Sequence, residues 1–295
     1  MSYQLEVLMV ALAVSVTTAL PGNFLVLRKM SMISDAISHS VLFGIAVGFL
    51  IFQDLASPFL ILGATLTGLL TVYLTERLVS IKVKEDASIG LVFPLLFALG
   101  VIIITLFSRN VHLDIDAVLT GELIVTPFKR QTLFFTSVDL GPTTLWVMIG
   151  ILLVNVLFIV LFYKELKLST FDRVLASSFG FMPWLIHYLL MGMVSITLVG
   201  AFDAAGSILV VSFMIVPPST AFLISKQLDK MILNSIFFAI INAVIGFYLG
   251  FLFDVSIAGA ISVTSGVVFL VVFGVTNISS SVAHETTQSN TTAKP

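Results

Sequence analysis

No cysteine occurs among the 295 residues, which excludes disulfides, thiolate metal sites and cysteine nucleophiles, and leaves the redox compartment open. Charge is scarce as well. Asp, Glu, Lys and Arg make up 10% of the chain, against about 25% in ordinary soluble domains, too few to solvate a globular surface. The net charge of −2 offers no basic face for nucleic acid. A glycine-rich phosphate loop of the GxxxxGK[ST] type is missing, so energy drawn from nucleotide has to come from another chain. The HExxH metalloprotease motif is missing too. The stretch Met1–Glu6 lacks the basic region of a signal peptide and no small-residue cleavage motif follows. Leu5 onward is therefore read as a first, retained span.

What remains is apolar: 58% of the residues are hydrophobic. Runs long enough to cross a hydrocarbon core of about 30 Å fall at Leu5–Leu27, Ile33–Phe52, Pro58–Thr75, Ser88–Phe107, Thr143–Tyr163, Leu185–Ala201, Gly206–Ile224, Met231–Phe253 and Val255–Val275. The expected fold is all-α, a polytopic membrane protein of about eight to nine transmembrane helices. Residues 1–276 form the membrane domain, with an external segment at 108–142 and a cytoplasmic segment at 164–183. Residues 277–295 are rich in Ser, Thr, Asn and Gln and read as a disordered polar tail. With nine spans only Arg109, Lys129 and Arg130 lie on one side, and every other Lys and Arg on the opposite side. The positive-inside rule then puts the N-terminus outside and the C-terminus in the cytoplasm.

Asp35 and His39 stand out within this background. Of the sixteen acidic residues, Asp35 is the one lying well inside a predicted span, and burying such a group costs about 2.5–3.5 kcal/mol on insertion scales. Four residues apart on a helix, the two share a face with Cβ atoms about 5–6 Å apart. If the helix begins near Lys29, they lie about 9 and 15 Å deep. A structural hydrogen bond is one reading of the pair. The other is a transient cation site, because a carboxylate oxygen and an imidazole suit Mn²⁺, Zn²⁺ or Fe²⁺. Two ligands are too few to hold such an ion, and a second copy from a neighbouring subunit makes four.

The segment 164–183 is patterned for a short amphipathic helix. Ser169 with Asp172 three residues on matches a capping box, Phe171, Val174, Leu175 and Phe179 follow helical spacing, Gly180 closes the helix, and Pro183 bars its continuation. Such a helix either rests at the lipid interface or docks a cytoplasmic partner. Pro217–Pro218 removes two backbone donors near the end of the seventh span, predicting a broken helix or an early stop. Pro21–Gly22–Asn23 is read as an interruption of the first span in the same way. In the external segment His112, Asp114 and Asp116 alternate, as a cation entry or a solvated acidic loop, and Ala117–Thr126 reads as a surface helix. His187 sits near the membrane boundary, an ordinary place for a histidine.

Three stretches carry a resemblance to a known family. Phe24–Gly44 has the core R-x-M-S-x-x-x-D-A-x-S-H, Phe171–Gly180 reads FDRVLASSFG, and Gly206–Leu223 reads GSILVVSFMIVPPSTAFL. Together with the span layout they resemble the permease subunits of bacterial ABC importers for manganese, zinc and iron, over the chain through about Val275. The resemblance implies a type II importer in the cell membrane of a bacterium. It implies two permease subunits, a cytoplasmic ATPase dimer and an extracellular or periplasmic metal-binding protein. No permanently bound cofactor is expected; the metal is cargo, with Mn²⁺ favoured and Zn²⁺ or Fe²⁺ as alternatives. Asp35 and His39 match the family's metal-path motif, and Phe171, Asp172 and Gly180 match the segment that docks on the ATPase. The HLDID stretch followed by GEL resembles members that pair with a second, different permease, so the dimer is a homo- or heterodimer.

Two rivals come from other classes. An intramembrane metalloenzyme using Asp35 and His39 lacks a second intramembrane histidine and a nucleophile set. A proton-coupled secondary metal transporter with Asp35 as proton carrier needs no ATPase, and the patterned cytoplasmic segment speaks for one.

Overall fold

The computed structural model describes residues 3–52, 58–107, 123–128, 130–132 and 139–292. Ten α-helices run through them: α1 Tyr3–Leu27, α2 Ser31–Phe52, α3 Pro58–Ser80, α4 Glu85–Phe107, α5 Thr143–Leu161, α6 Tyr163–Phe171, α7 Arg173–Ser178, α8 Pro183–Ile224, α9 Leu228–Leu252 and α10 Ile257–Thr292. Between α4 and α5 lie a 3-10 helix, Leu123–Phe128, and an antiparallel pair of short strands, β1 Arg130–Thr132 and β2 Asp139–Pro142. Among the described residues nine segments are long and apolar enough to cross a membrane, and α8 holds two of them, Pro183–Phe202 and Ala204–Ile224.

The 42 residues of α8 would reach about 63 Å if straight, twice a bilayer core. Instead the chain doubles back. His187 near its start contacts Arg28 at the end of α1, and Asp229, just past its end, contacts Tyr163 and Lys167 of α6. Both ends of α8 thus lie on one face, and the turn falls at Gly206, whose φ of 70° and ψ of 168° are not helical. That conformation suits a residue without Cβ. The helix runs on through Pro217 and Pro218 to Ile224, so the break expected there does not occur. Pro218 leaves the Met214 carbonyl without its helical donor, and α1 packs its backbone against that carbonyl at Gly22, where any Cβ would collide with it.

α1 is likewise uninterrupted, with Pro21 inside it. Pro21 cannot donate to the Thr17 carbonyl four residues back. The Asn155 amide of α5 takes over, donating to Thr17 O at 3.2 Å and to the Thr197 hydroxyl at 2.9 Å. Proline is tolerated in a membrane helix when a neighbour re-satisfies the freed carbonyl.

α1 and α8 form the centre of the bundle. α2, α3 and α4 pack on one flank, α9 and α10 on another, and α5 beside α1. The outward faces of α4, α5 and α10 expose Leu91, Leu95, Leu153, Leu157, Val263 and Leu270, the apolar surface expected where lipid replaces water. α2 and α3 approach closely enough that a Cβ on Gly44 would strike the Gly63 carbonyl, the small-residue packing that membrane helices use.

Three helix ends close by the same device. Lys29 (φ 60°), Lys82 (φ 72°) and Gly180 (φ 82°) adopt the left-handed conformation. Each is flanked by the paired bonds of a Schellman turn, as in Lys29 N–H to Val26 O and Met30 N–H to Leu25 O. Residues 277–292, expected as a disordered tail, continue α10 as helix. No Gly or Pro falls between Gly274 and Pro295 to stop it.

Candidate metal path and elbow

Asp35 and His39 lie on α2, which starts at Ser31 rather than Lys29, so they stand about 6 and 12 Å along the helix from its first residue. His39 Nε2 stands 3.6 Å from Asp35 Oδ1, longer than a hydrogen bond. The Asp35 side chain is 42% exposed and that of His39 32%. The pair therefore opens outward from the subunit instead of being sealed in its core. The rings of Phe93 and Phe97 on α4 flank the imidazole at 5.7 and 6.2 Å, Phe97 edge-on. Behind the pair, Ser40 is fully buried and accepts a 2.6 Å hydrogen bond from Thr71 of α3. Among the described residues no group of three or more His, Cys, Asp or Glu is placed to hold a metal ion. One chain offers two candidate donors here, Asp35 and His39.

The segment 164–183, expected on the cytoplasmic side, folds as an elbow of two helices, α6 and α7. Asp172 is itself the cap of α7: its Oδ1 accepts the Leu175 N–H at 2.9 Å. This corrects the expected capping box. Ser169 is not the cap but lies buried inside α6, because Phe171 still belongs to that helix. Gly180 closes α7 as expected, and Pro183 opens α8 as its first residue, where a missing N–H costs nothing. Phe171, Val174, Phe179 and Met182 are all exposed around the elbow, apolar side chains between the spans, and Trp184 is exposed at the start of the next span.

A second constellation escaped the sequence reading. Arg28, half-buried at the end of α1, donates from Nε to Thr170 Oγ1 (3.1 Å) and from Nη2 to Ser169 Oγ (3.0 Å), with Nη1 3.3 Å from His187 Nδ1. His187 is buried, and its Nε2 lies 2.7 Å from Glu76 Oε1 of α3. Tyr188 donates to the other Glu76 oxygen at 2.7 Å. Burial, then the charge of nearby Arg173, brings the Arg28 guanidinium down to about 10, so it stays charged at neutral pH. Glu76 had fallen outside the predicted span; α3 runs on to Ser80 and carries it. The elbow is tied a second time where Tyr163 donates to Asp229 of α9, with Lys167 Nζ 4.0 Å away. That bond and burial, burial first, push the Tyr163 phenol up to about 12.

His112, Asp114 and Asp116 lie outside the described residues. Of the surface helix expected over Ala117–Thr126, the residues from Leu123 are described and form the 3-10 turn, with Leu123 buried. Phe128 of that turn meets the Tyr3 ring at 5.9 Å, so the start of α1 and this segment share the face opposite the elbow.

Comparison with known proteins places these features together. A family model described as the ABC 3 transport family matches residues 1–276. The chain is 41% identical over 273 residues to a manganese transport system membrane protein, MntD, of Bacillus subtilis (strain 168), covering 92% of each. It is 46% identical over 270 residues to a zinc transport system membrane protein, TroD, of Treponema pallidum (strain Nichols), covering 91% of this chain and 73% of that one. Among solved structures it resembles PsaBC from Streptococcus pneumoniae in complex with Fab, with a TM-score of 0.76 and 29% identity, over 92% of this chain and 91% of that chain.

Proposed function

The chain belongs to the ABC 3 transport family, and from that premise we propose that it carries manganese into the cell as the permease subunit of an ATP-driven importer. It is a multi-span membrane permease with the type II importer architecture. ATP is hydrolysed on a separate cytoplasmic ATPase dimer, and a metal-binding protein on the outer face delivers the cargo. The permease works as a pair, with an identical or related subunit. The elbow faces the cytoplasm, with the N-terminus outside and α10 ending inside, in keeping with the distribution of Lys and Arg.

The observation that carries this reading is the half-exposed Asp35–His39 pair on α2. A first-row ion about 2.1 Å from both the carboxylate oxygen and the imidazole nitrogen would subtend an angle of roughly 120° across their 3.6 Å separation. That is close to tetrahedral, so the spacing of the two atoms suits a shared ion. Two donors from each of two subunits complete four. Because neither subunit encloses the ion, it is held weakly enough to leave. The relatives named for manganese and for zinc favour both ions, and a carboxylate with an imidazole binds either. Zinc is therefore the alternative cargo, and iron a further one.

The apolar surface of the elbow around Phe171, Val174 and Phe179 fits the ATPase, with Asp172 and Gly180 holding its shape. Reconstitution of the permease with its ATPase and delivery protein tests the reading. Radiolabelled manganese accumulates in vesicles only with ATP, and excess unlabelled zinc measures the alternative. Accumulation that ignores ATP and collapses with a proton gradient contradicts it.

A further inference from the structure

Arg28, His187 and Glu76 join four elements at one point. Arg28 directly follows α1, and Lys29 in its left-handed turn reverses the chain into α2, which carries Asp35 two residues beyond its first turn of Ser31, Met32 and Ile33. A guanidinium has five N–H donors in a rigid fork, and this one is spread in two directions. It holds Ser169 and Thr170 of the elbow on one side and His187 of α8 on the other. Since Arg28 can only donate, His187 Nδ1 accepts and the ring proton sits on Nε2, which lies 2.7 Å from Glu76 Oε1 as a close ion-pair contact without hydrogen-bond alignment. The imidazole thus bridges the arginine to the carboxylate of α3.

From Glu76 the route continues along a rigid helix. Five residues earlier on α3, Thr71 donates to Ser40, the neighbour of His39 in α2. Further along, Gly44 and Gly63 bring the two backbones into contact. α2 is thus gripped from below through the turn after Arg28 and from the side through α3. The elbow's other tether, Tyr163 to Asp229, leads to α9, which packs on α1, α8 and α10.

Resting on the transport reading above, we propose that Arg28, His187 and Glu76 are the positioning linkage through which displacement of the elbow moves α2 and releases the metal held by Asp35 and His39. These are positioning residues, remote from the metal itself. A static cluster that only stabilised the fold would lower the amount of assembled protein. A linkage sets how much metal moves for each ATP consumed.

The test uses the full permease with its ATPase and delivery protein in vesicles, reading radiolabelled manganese uptake and ATP hydrolysis together. Arg28→Lys keeps the charge but cannot reach hydroxyls and imidazole at once. The linkage predicts that metal moved per ATP falls roughly tenfold, while manganese binding to the complex without ATP is retained. The double variant with Glu76→Gln is no worse than the worse single one, as expected for residues in one chain of contacts. Tyr163→Phe, which cuts the other tether, keeps the wild-type ratio. If Arg28→Lys does not assemble, Ser169→Ala with Thr170→Ala removes the elbow side alone and carries the same prediction. A wild-type ratio in these variants, losses that multiply in the double variant, or an equal loss in Tyr163→Phe overturns the linkage. Wild-type complex that hydrolyses ATP without moving metal overturns the transport reading itself.

Discussion

At the scale of single residues, two ionisable groups in an otherwise apolar helix need a physical reason. A salt link serving stability alone would close to hydrogen-bond distance and withdraw from the surface. Asp35 and His39 do neither: they stay 3.6 Å apart and partly exposed. Asp35→Ala and His39→Ala should therefore each cut ATP-dependent manganese uptake by roughly a hundredfold or more, while the proteins insert and assemble normally, as checked by uptake assays beside size-exclusion profiles. His39→Asn, which keeps polarity but loses the imidazole, should fail as well. A different kind of residue effect is expected at Asn155, which serves the carbonyl freed by Pro21. Asn155→Leu leaves that buried carbonyl unpaired and should cost about 1–3 kcal/mol of stability, read as a lower melting temperature in detergent with little change in metal preference. The Asp35–His39 pair was legible because its spacing alone puts both groups on one helix face. The Arg28–His187–Glu76 cluster was not, since Arg28 and His187 are 159 positions apart. Nothing local to either reveals the other.

At the scale of elements, the elbow owes its bend to Asp172, which ends α6 in extended backbone and caps α7 with its carboxylate. Asp172→Ala should weaken α7 by about 1 kcal/mol, whereas Asp172→Asn, an equally good cap, should not. The measurement is ATPase affinity for the permease, expected to fall several-fold for Ala and to hold for Asn. Affinity unchanged in both would detach the elbow from ATPase docking. Gly44 governs a second element contact. Gly44→Ala drives a methyl into the Gly63 carbonyl, must spread α2 from α3, and should lower thermal stability and uptake together. Element boundaries were legible wherever a turn residue agreed with the hydropathy, as at Gly180. They misled where proline was the signal. Pro21 and Pro217–Pro218 sit inside continuous helices, and at Pro21 the Asn155 amide of α5 replaces the lost donor. The reversal of α8 sits at Gly206, where the apolar runs Leu185–Ala201 and Gly206–Ile224 already part.

At the scale of the whole molecule, the odd number of spans among the described residues places the elbow and the end of α10 on one face, with the start of α1 on the other. Single cysteines placed in this cysteine-free chain, at Ser178 and at Tyr3, should label from the cytoplasmic and outer faces respectively. The reverse pattern contradicts the orientation. The fold itself was readable because nine apolar runs need only be long enough to span. Which faces meet was not, since lipid-facing and buried surfaces are equally apolar in a membrane. The metal path is tested most directly by electron paramagnetic resonance of manganese bound to the assembled complex without its delivery protein. Coordination by His39 predicts a nitrogen hyperfine coupling in the wild type that is absent from His39→Ala, with weakened binding in Asp35→Ala. Manganese bound equally well in both variants, with the same spectrum as the wild type, would place the ion elsewhere.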